Sequence, residues 1–237
     1  EFFHAIGLVI LEGYGLTETA PVVACNTFTK LRFGTVGPPV PGVEVSIAPD
    51  GEILARGDNV MKGYFKKDAE TAEALAGGWF HTGDIGFIDG DGFLTITDRK
   101  KDLIVTAGGK NVAPQPIENL IRQSPYIAQA VVVGASRKFI SALIVPQFDK
   151  VEAYAKEKGI AYFSPAELCG RDEIRELIRQ EIDRFTPVLA PYEKIKKIVL
   201  LDRDFEIEQG ELTPTLKVKR TQVEKKYKDL IDALYKD

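Results

Sequence analysis

The sequence is poor in the residues that build metal centres and nucleophile triads. Its 237 residues include two cysteines, two histidines, one methionine and one tryptophan. Cys25 and Cys169 stand far apart, with no CxxC or zinc-type spacing, so free thiols in a reducing cytoplasm are expected. His4 and His81 are equally scattered, which leaves a zinc site or a Ser-His-Asp triad little to work with. Long apolar runs are missing too. The longest, such as AVVVGA, suit a strand and fall well short of the ~18 residues of a membrane span. No charged segment leads into a long apolar one near the start, so no signal peptide is read there. The net charge of -4 gives no sign of nucleic-acid binding.

What is present is an ordinary globular mixture. Hydrophobic residues make up 44% and charged residues 28%, too apolar for disorder, and the length suits one large domain or two small ones. The chain opens on Glu1, its only methionine is Met61, and EFFHAIGLVILEGYG reads like the middle of a domain, so a piece of a longer protein is expected. The first hundred residues are rich in turns. In VEVSIAPDGEILARG, Val43, Val45 and Ile47 alternate, Pro49-Asp50-Gly51 turns, and Ile53 to Ala55 return. GFIDGDGFLTITDR repeats that device around Asp89 to Gly92. Later segments alternate strands and helices: a hairpin in DLIVTAGGKNVAP, helices over Pro114 to Gln123 and Asp149 to Lys158, and strands in IAQAVVVGA, FISALIVPQ and KIKKIVLL. Ser164 with Glu167 predicts a capping box before a helix carrying Ile174, Leu177, Ile178, Ile182 and Phe185. Thr221 with Glu224 predicts the cap of a last helix with a Val223, Tyr227, Ile231 and Leu234 stripe. The locally basic stretch from Thr215 is read as a solvated helix face.

Four stretches could carry chemistry. In GYGLTE, glycines allow close backbone approach, and Thr17 and Glu18 offer hard oxygen ligands of the kind Mg²⁺ favours; a plain polar turn reads the same way. In GWFHTGDIG, Asp84 could accept ribose hydroxyls or close a Thr-Gly-Asp turn, while Trp79 and Phe80 are expected in the core. In TDRKKDLIVTAGGKN, the Arg99 fork suits ribose or phosphate oxygens, or a surface ion-pair cluster. Gly108-Gly109-Lys110 looks like a phosphate loop without the Walker spacing. In GELTPTLKVKRTQVE, Lys217 and Lys219 would share one face if the segment is a strand.

Taken in order, GYGLTE, WFHTGDIG, DRKKDLIVTAGGKNVAPQPIE and LTPTLKVKR resemble the adenylate-forming superfamily, which includes acyl-CoA synthetases, peptide-synthetase adenylation domains and firefly luciferase. The resemblance covers essentially the whole chain. GGKNVAPQPIENLI, LAPYEKIKKIVLL and ELTPTLKVKRTQVEKKYKDLIDALY are similar to long-chain fatty acid–CoA ligases; most other branches have Ser-Gly-Lys where this chain has Thr215-Leu216-Lys217.

The resemblance implies a mixed α/β (α+β) fold. Residues 1–97 would be a small distorted β-barrel or sheet ending a larger adenylation domain, and 98–237 a mobile α+β lid hinged at Asp98. It implies that Tyr14 and Gly15 line adenine, Thr17 touches phosphate and Glu18 binds Mg²⁺. Asp84 would hold the ribose hydroxyls, and Arg99 a ribose or phosphate oxygen. Lys217 would be the catalytic lysine, and Gly108, Gly109, Lys110 and Asn111 would enter the site for the coenzyme A step. A fatty acid would react with ATP to give acyl-AMP and pyrophosphate, and coenzyme A would then displace AMP. The family's Ser/Thr/Gly-rich phosphate loop and most of its acyl pocket are not in this sequence, so residues 1–237 alone are expected not to form acyl-CoA. Other branches (acyl-AMP ligases, medium-chain or aryl ligases) and a non-catalytic nucleotide-binding module are the alternatives. Partners would be small molecules rather than nucleic acid, in the cytoplasm with peripheral contact to a membrane.

Overall fold

A computed structural model describes residues 1–236. The chain divides into two units, Glu1–Lys101 and Asp102–Asp237. The first follows from its turns. After a short helix α1 (Phe2–Ala5), β1 (Gly13–Gly15) and β2 (Val22–Cys25) form an antiparallel pair. β3 (Val43–Ile47) and β4 (Glu52–Gly57) form the first predicted hairpin, with Gly51 at φ 88 in its turn, a backbone region that favours glycine. After α2 (Asp68–Ala74), β5 (Phe80–Ile88) and β6 (Leu94–Arg99) form the second. The four strands make an antiparallel sheet in the order β3-β4-β5-β6. Backbone bonds from Val36 to Leu94 and from Leu94 to Gly37 tie the β2 side to β6, which curls the unit around Val23, Ala24, Ile53, Ala55, Phe80 and Leu94. Phe80 is in the core as expected; Trp79 is half-buried, with the Arg56 guanidinium 4.4 Å over its ring.

The second unit opens with β7 (Ile104–Val105) and β8 (Asn111–Val112), the small hairpin predicted there. Helix α3 (Pro114–Ile121) starts on proline and buries Ile117 and Ile121. A three-stranded sheet sets β9 (Ile127–Val133) at one edge, antiparallel to the central β10 (Ser141–Pro146). After α4 (Phe148–Lys158), α5 (Pro165–Gly170) and α6 (Asp172–Phe185), β11 (Lys197–Leu200) pairs parallel with β10. The short helices α7 (Arg220–Lys226) and α8 (Lys228–Leu234) complete it. Alternation across the strands explains their apolar runs. Val131, Val133, Leu143 and Val145 face Val223 and Ile231 of the last helices, while Ala130, Ala142 and Ile144 face Ile121, Ile178 and Ile182. Both faces are covered, so both residues of each pair must be apolar.

Three local expectations are corrected. Thr221 caps nothing: the helix already begins at Arg220, which bonds Glu118 and the Val132 carbonyl, and it breaks at Tyr227 into two short helices, although Val223, Tyr227, Ile231 and Leu234 still face the core as the stripe predicts. The Ser164 hydroxyl does accept the Glu167 N–H at 3.2 Å, but the Glu167 carboxylate turns to Phe163 N–H and Arg171 instead of closing the box. Leu216 to Lys219 is not a strand with one apolar face: Leu216 sits at φ 58 and is exposed, so the two-residue alternation fails there.

Candidate active site

The GYGLTE loop is shaped by what lies beneath it. A Cβ on Gly15 would stand 1.6 Å from the Pro21 carbonyl oxygen, so only glycine lets β1 pass this close to the start of β2. Thr17 to Thr19 then form a single 3₁₀ turn. Its end is fixed by buried Thr19, whose hydroxyl accepts the Leu16 N–H at 3.0 Å and donates to the Pro21 carbonyl at 2.9 Å. A neighbouring loop grips the turn from outside. Asn59 donates to the carbonyls of Thr19 and Val22 at 2.8 and 3.0 Å, Met61 N–H donates to the Glu18 carbonyl at 2.7 Å, and the Tyr64 hydroxyl donates to the Glu18 carboxylate at 3.0 Å. Burial and that carboxylate push the Tyr64 phenol above its ordinary pKa, so it stays a donor. Thr17 lies exposed beside half-buried Glu18.

Three of the predicted residues meet. Asp84 of β5 lies directly across from Arg99 of β6, beside register shifts on both sides of β5. Its carboxylate is 3% exposed, accepts the Tyr14 hydroxyl at 2.6 Å and pairs with Arg99 Nε at 2.8 Å. Burying a carboxylate this deeply is costly unless partners such as these meet its oxygens. Burial and the bond to Asp84 raise the Tyr14 phenol far above its ordinary range, so it acts as a fixed donor. The result is a half-buried aromatic ring, a buried carboxylate and a half-exposed guanidinium on one surface. That set can take a ring bearing neighbouring hydroxyls and an anionic group. Asp98 is one strand position away, paired across from Ile85, and its carboxylate accepts the Arg99 N–H at 2.7 Å.

Beneath this site is a carboxylate that sequence reasoning missed. Glu52 is 3% exposed at the start of β4. One oxygen accepts the Gly83 N–H at 3.0 Å; the other bonds His81 Nδ1 and Lys100 Nζ, both at 2.9 Å, and Lys100 also pairs with Asp50 at 2.8 Å. Burial opposes the Glu52 charge, but His81, Lys100 and the Gly83 N–H outweigh it and lower its pKa. Glu52 therefore grips the residues adjacent to both Asp84 and Arg99. Only its place after a turn was legible; nothing in the spacing announced its partners.

The remaining predicted residues lie on the second unit. Gly108 to Asn111 form the exposed tip of the β7–β8 hairpin, closed by Thr106 N–H to the Lys110 carbonyl at 3.0 Å and Lys110 N–H to the Thr106 hydroxyl at 3.1 Å, with Gly109 at φ 72. Lys217 is exposed on a loop between Glu211 and Lys219. Arg220, which follows it, is not a surface cation but a nearly buried partner of Glu118 at 2.7 Å. Among the described residues no group of three or more His, Cys, Asp or Glu side chains could hold a metal ion, and no helix is long and apolar enough to cross a membrane.

Comparison with known proteins shows the family. The pattern of the AMP-binding enzyme C-terminal domain matches residues 101–237, and that of the AMP-binding enzyme matches residues 1–65. The chain is 46% identical over 235 residues to the long-chain-fatty-acid–CoA ligase FadD15 of Mycobacterium bovis, covering 99% of this chain and 39% of that protein. It is 35% identical over 261 residues to the long-chain-fatty-acid–CoA ligase ACSBG1 of Bos taurus, covering 100% of this chain and 36% of that one. Among solved structures it is similar to the o-succinylbenzoate coenzyme A synthetase MenE of Bacillus subtilis in complex with AMP (TM-score 0.66, 28% identity, 94% of this chain and 42% of that one). The adenylation domain of a Mycobacterium chelonae carboxylate reductase shares the fold (TM-score 0.75, 24% identity, 100% of this chain and 36% of that one). The chain thus spans well under half the length of these relatives.

Proposed function

Since the chain belongs to the AMP-binding enzymes, we propose that it supplies the adenosine-binding and lysine-bearing parts of a long-chain fatty acid–CoA ligase. The observation that carries this reading is the Tyr14–Asp84–Arg99 constellation, whose buried carboxylate suits a ribose diol and whose aromatic ring suits the base. The 46% identity to a long-chain ligase, against 28% to the o-succinylbenzoate coenzyme A synthetase, favours the long-chain substrate.

Each half-reaction balances on substrate atoms. In the first, a carboxylate oxygen of the fatty acid attacks the α-phosphorus of ATP, the bond to the β-phosphate breaks, and pyrophosphate leaves. Lys217 is the group proposed to meet the charge developing there. Thr17 would donate to a phosphate oxygen. In the second, the thiolate of coenzyme A attacks the acyl carbon, the bond from that carbon to the adenylate oxygen breaks, and AMP leaves. Gly108 to Asn111 are proposed to serve that step, and Asp98 to be the pivot between the two. The oxygens of Glu18 and Thr17 fit Mg²⁺, which is commonly held by one or two carboxylates with substrate phosphates and water. When bound, the ion would neutralise phosphate charge.

Pyrophosphate release dependent on a long-chain fatty acid, by the polypeptide that the gene encodes, tests the reading. Asp84→Ala is expected to lower it at least about tenfold, chiefly through the KM for ATP. Full activity in that variant would overturn the assignment. Residues 1–237 alone are proposed to make no acyl-CoA, because they include no Ser/Thr/Gly-rich phosphate loop.

A further inference from the structure

Lys217 is exposed, and its four-carbon side chain is flexible, so the backbone of its loop decides where the ammonium can reach. That loop has a stem. The Lys219 N–H donates to the Glu211 carbonyl at 2.8 Å, Leu212 and Val218 bridge, and the Thr213 N–H donates to the Lys217 carbonyl at 2.7 Å. The Lys217 N–H in turn donates to the Thr213 hydroxyl at 3.0 Å. At the foot of the stem the Glu211 side chain is fully buried. Its carboxylate accepts both Arg203 nitrogens at 2.6 and 3.0 Å, the Tyr227 hydroxyl at 2.9 Å, the Glu206 N–H at 3.0 Å and Lys226 Nζ at 3.2 Å. Arg203 also donates to the Tyr227 oxygen at 2.6 Å. These partners come from the segment after β11 and from the end of α7, so one carboxylate ties the stem to two separate parts of the unit.

A five-residue turn needs no buried charge to form. A fully desolvated carboxylate is costly unless each of its lone pairs is met, and here the donors meet both oxygens. We propose that Glu211, held by Arg203 and Tyr227, is a positioning residue for the Lys217 loop, acting on adenylate formation and not on the transfer of the acyl group to coenzyme A. This rests on the role given to Lys217 above.

The test compares Glu211→Gln, Tyr227→Phe and Lys217→Ala in the polypeptide that the gene encodes. Two rates are read: ATP–pyrophosphate exchange with a long-chain fatty acid, and acyl transfer from preformed acyl-AMP to coenzyme A. Glu211→Gln is expected to slow exchange at least about tenfold while acyl transfer stays within about twofold, and Tyr227→Phe to slow exchange about threefold. Equal losses in both rates would mean a merely structural role and overturn the proposal. If Lys217→Ala slows exchange and neither of the other variants does, the proposal falls and the reading of Lys217 stands. If Lys217→Ala leaves exchange intact, the reading falls and takes the proposal with it. Amide hydrogen exchange of the present chain gives a readout independent of activity. In Glu211→Gln, or in Tyr227→Phe if the first variant does not fold, the Lys217 and Lys219 amides should exchange about tenfold faster with Val131 and Leu143 unchanged. Uniform acceleration or no change would contradict it.

Discussion

Each unit has a buried carboxylate, Glu52 or Glu211, that holds the segment carrying its candidate chemistry, and the two are built differently. Glu52 grips a backbone N–H, a histidine and a lysine whose head is half in solvent. Glu211 is gripped by a two-pronged arginine, a phenol, a lysine and a backbone N–H, and is itself inaccessible. Burial resists the charge on Glu211, yet those donors bring its pKa down to about 2; burial resists the charge on Glu52 as well, and His81, Lys100 and the Gly83 N–H lower it. The difference matches what each supports. Asp84 and Arg99 are already fixed by their places on paired strands, so Glu52 reinforces a rigid sheet. Lys217 has no strand under it, so its loop depends on the node at its base.

Several measurements can break that contrast. The largest effect is expected from Lys217→Ala, which should cut adenylate formation by about 10²–10³, read as ATP–pyrophosphate exchange. Next, Glu211→Ala strands Arg203 and should cost about 3 kcal/mol in denaturant unfolding of the second unit, while Glu52→Gln should cost about 1 kcal/mol in the first. Equal costs would erase the distinction. The pH dependence follows in size. A carboxylate lowered from 4.5 to about 2 contributes stability that is fully present above about 4.5 and is lost as pH falls toward 2. The wild-type second unit should therefore lose stability across that window, and Glu211→Gln should flatten the loss; an unchanged acid transition would contradict the node. The smallest effects lie at the caps. Ser164→Ala should cost about 1 kcal/mol and Thr221→Ala close to zero, both by thermal unfolding.

That last pair shows how far the sequence could be read. Hairpins with Pro-Asp-Gly and Asp-Gly turns, and strands covered on both faces, declare themselves through local chemistry and period. So did Asp84 and Arg99 as candidate residues, while Tyr14 came only with the family resemblance; that the three meet was not legible, because Tyr14 and Asp84 are brought together by strand pairing over a long sequence separation. Thr221 looked like a cap because its neighbour's pull toward Glu118 is a tertiary contact that no short pattern encodes. Glu52, Asn59, Tyr64 and Glu211 escaped for the same reason. A buried polar residue is recognised by its partners, and those partners lie elsewhere in the chain.

The claim on which the functional reading turns is that Asp84 holds a ribose. Calorimetric titration of the present chain with AMP tests it most directly. Weak binding is expected, weakened a further tenfold or so by Asp84→Ala and unchanged by Lys217→Ala. Binding that ignores Asp84→Ala would contradict the account.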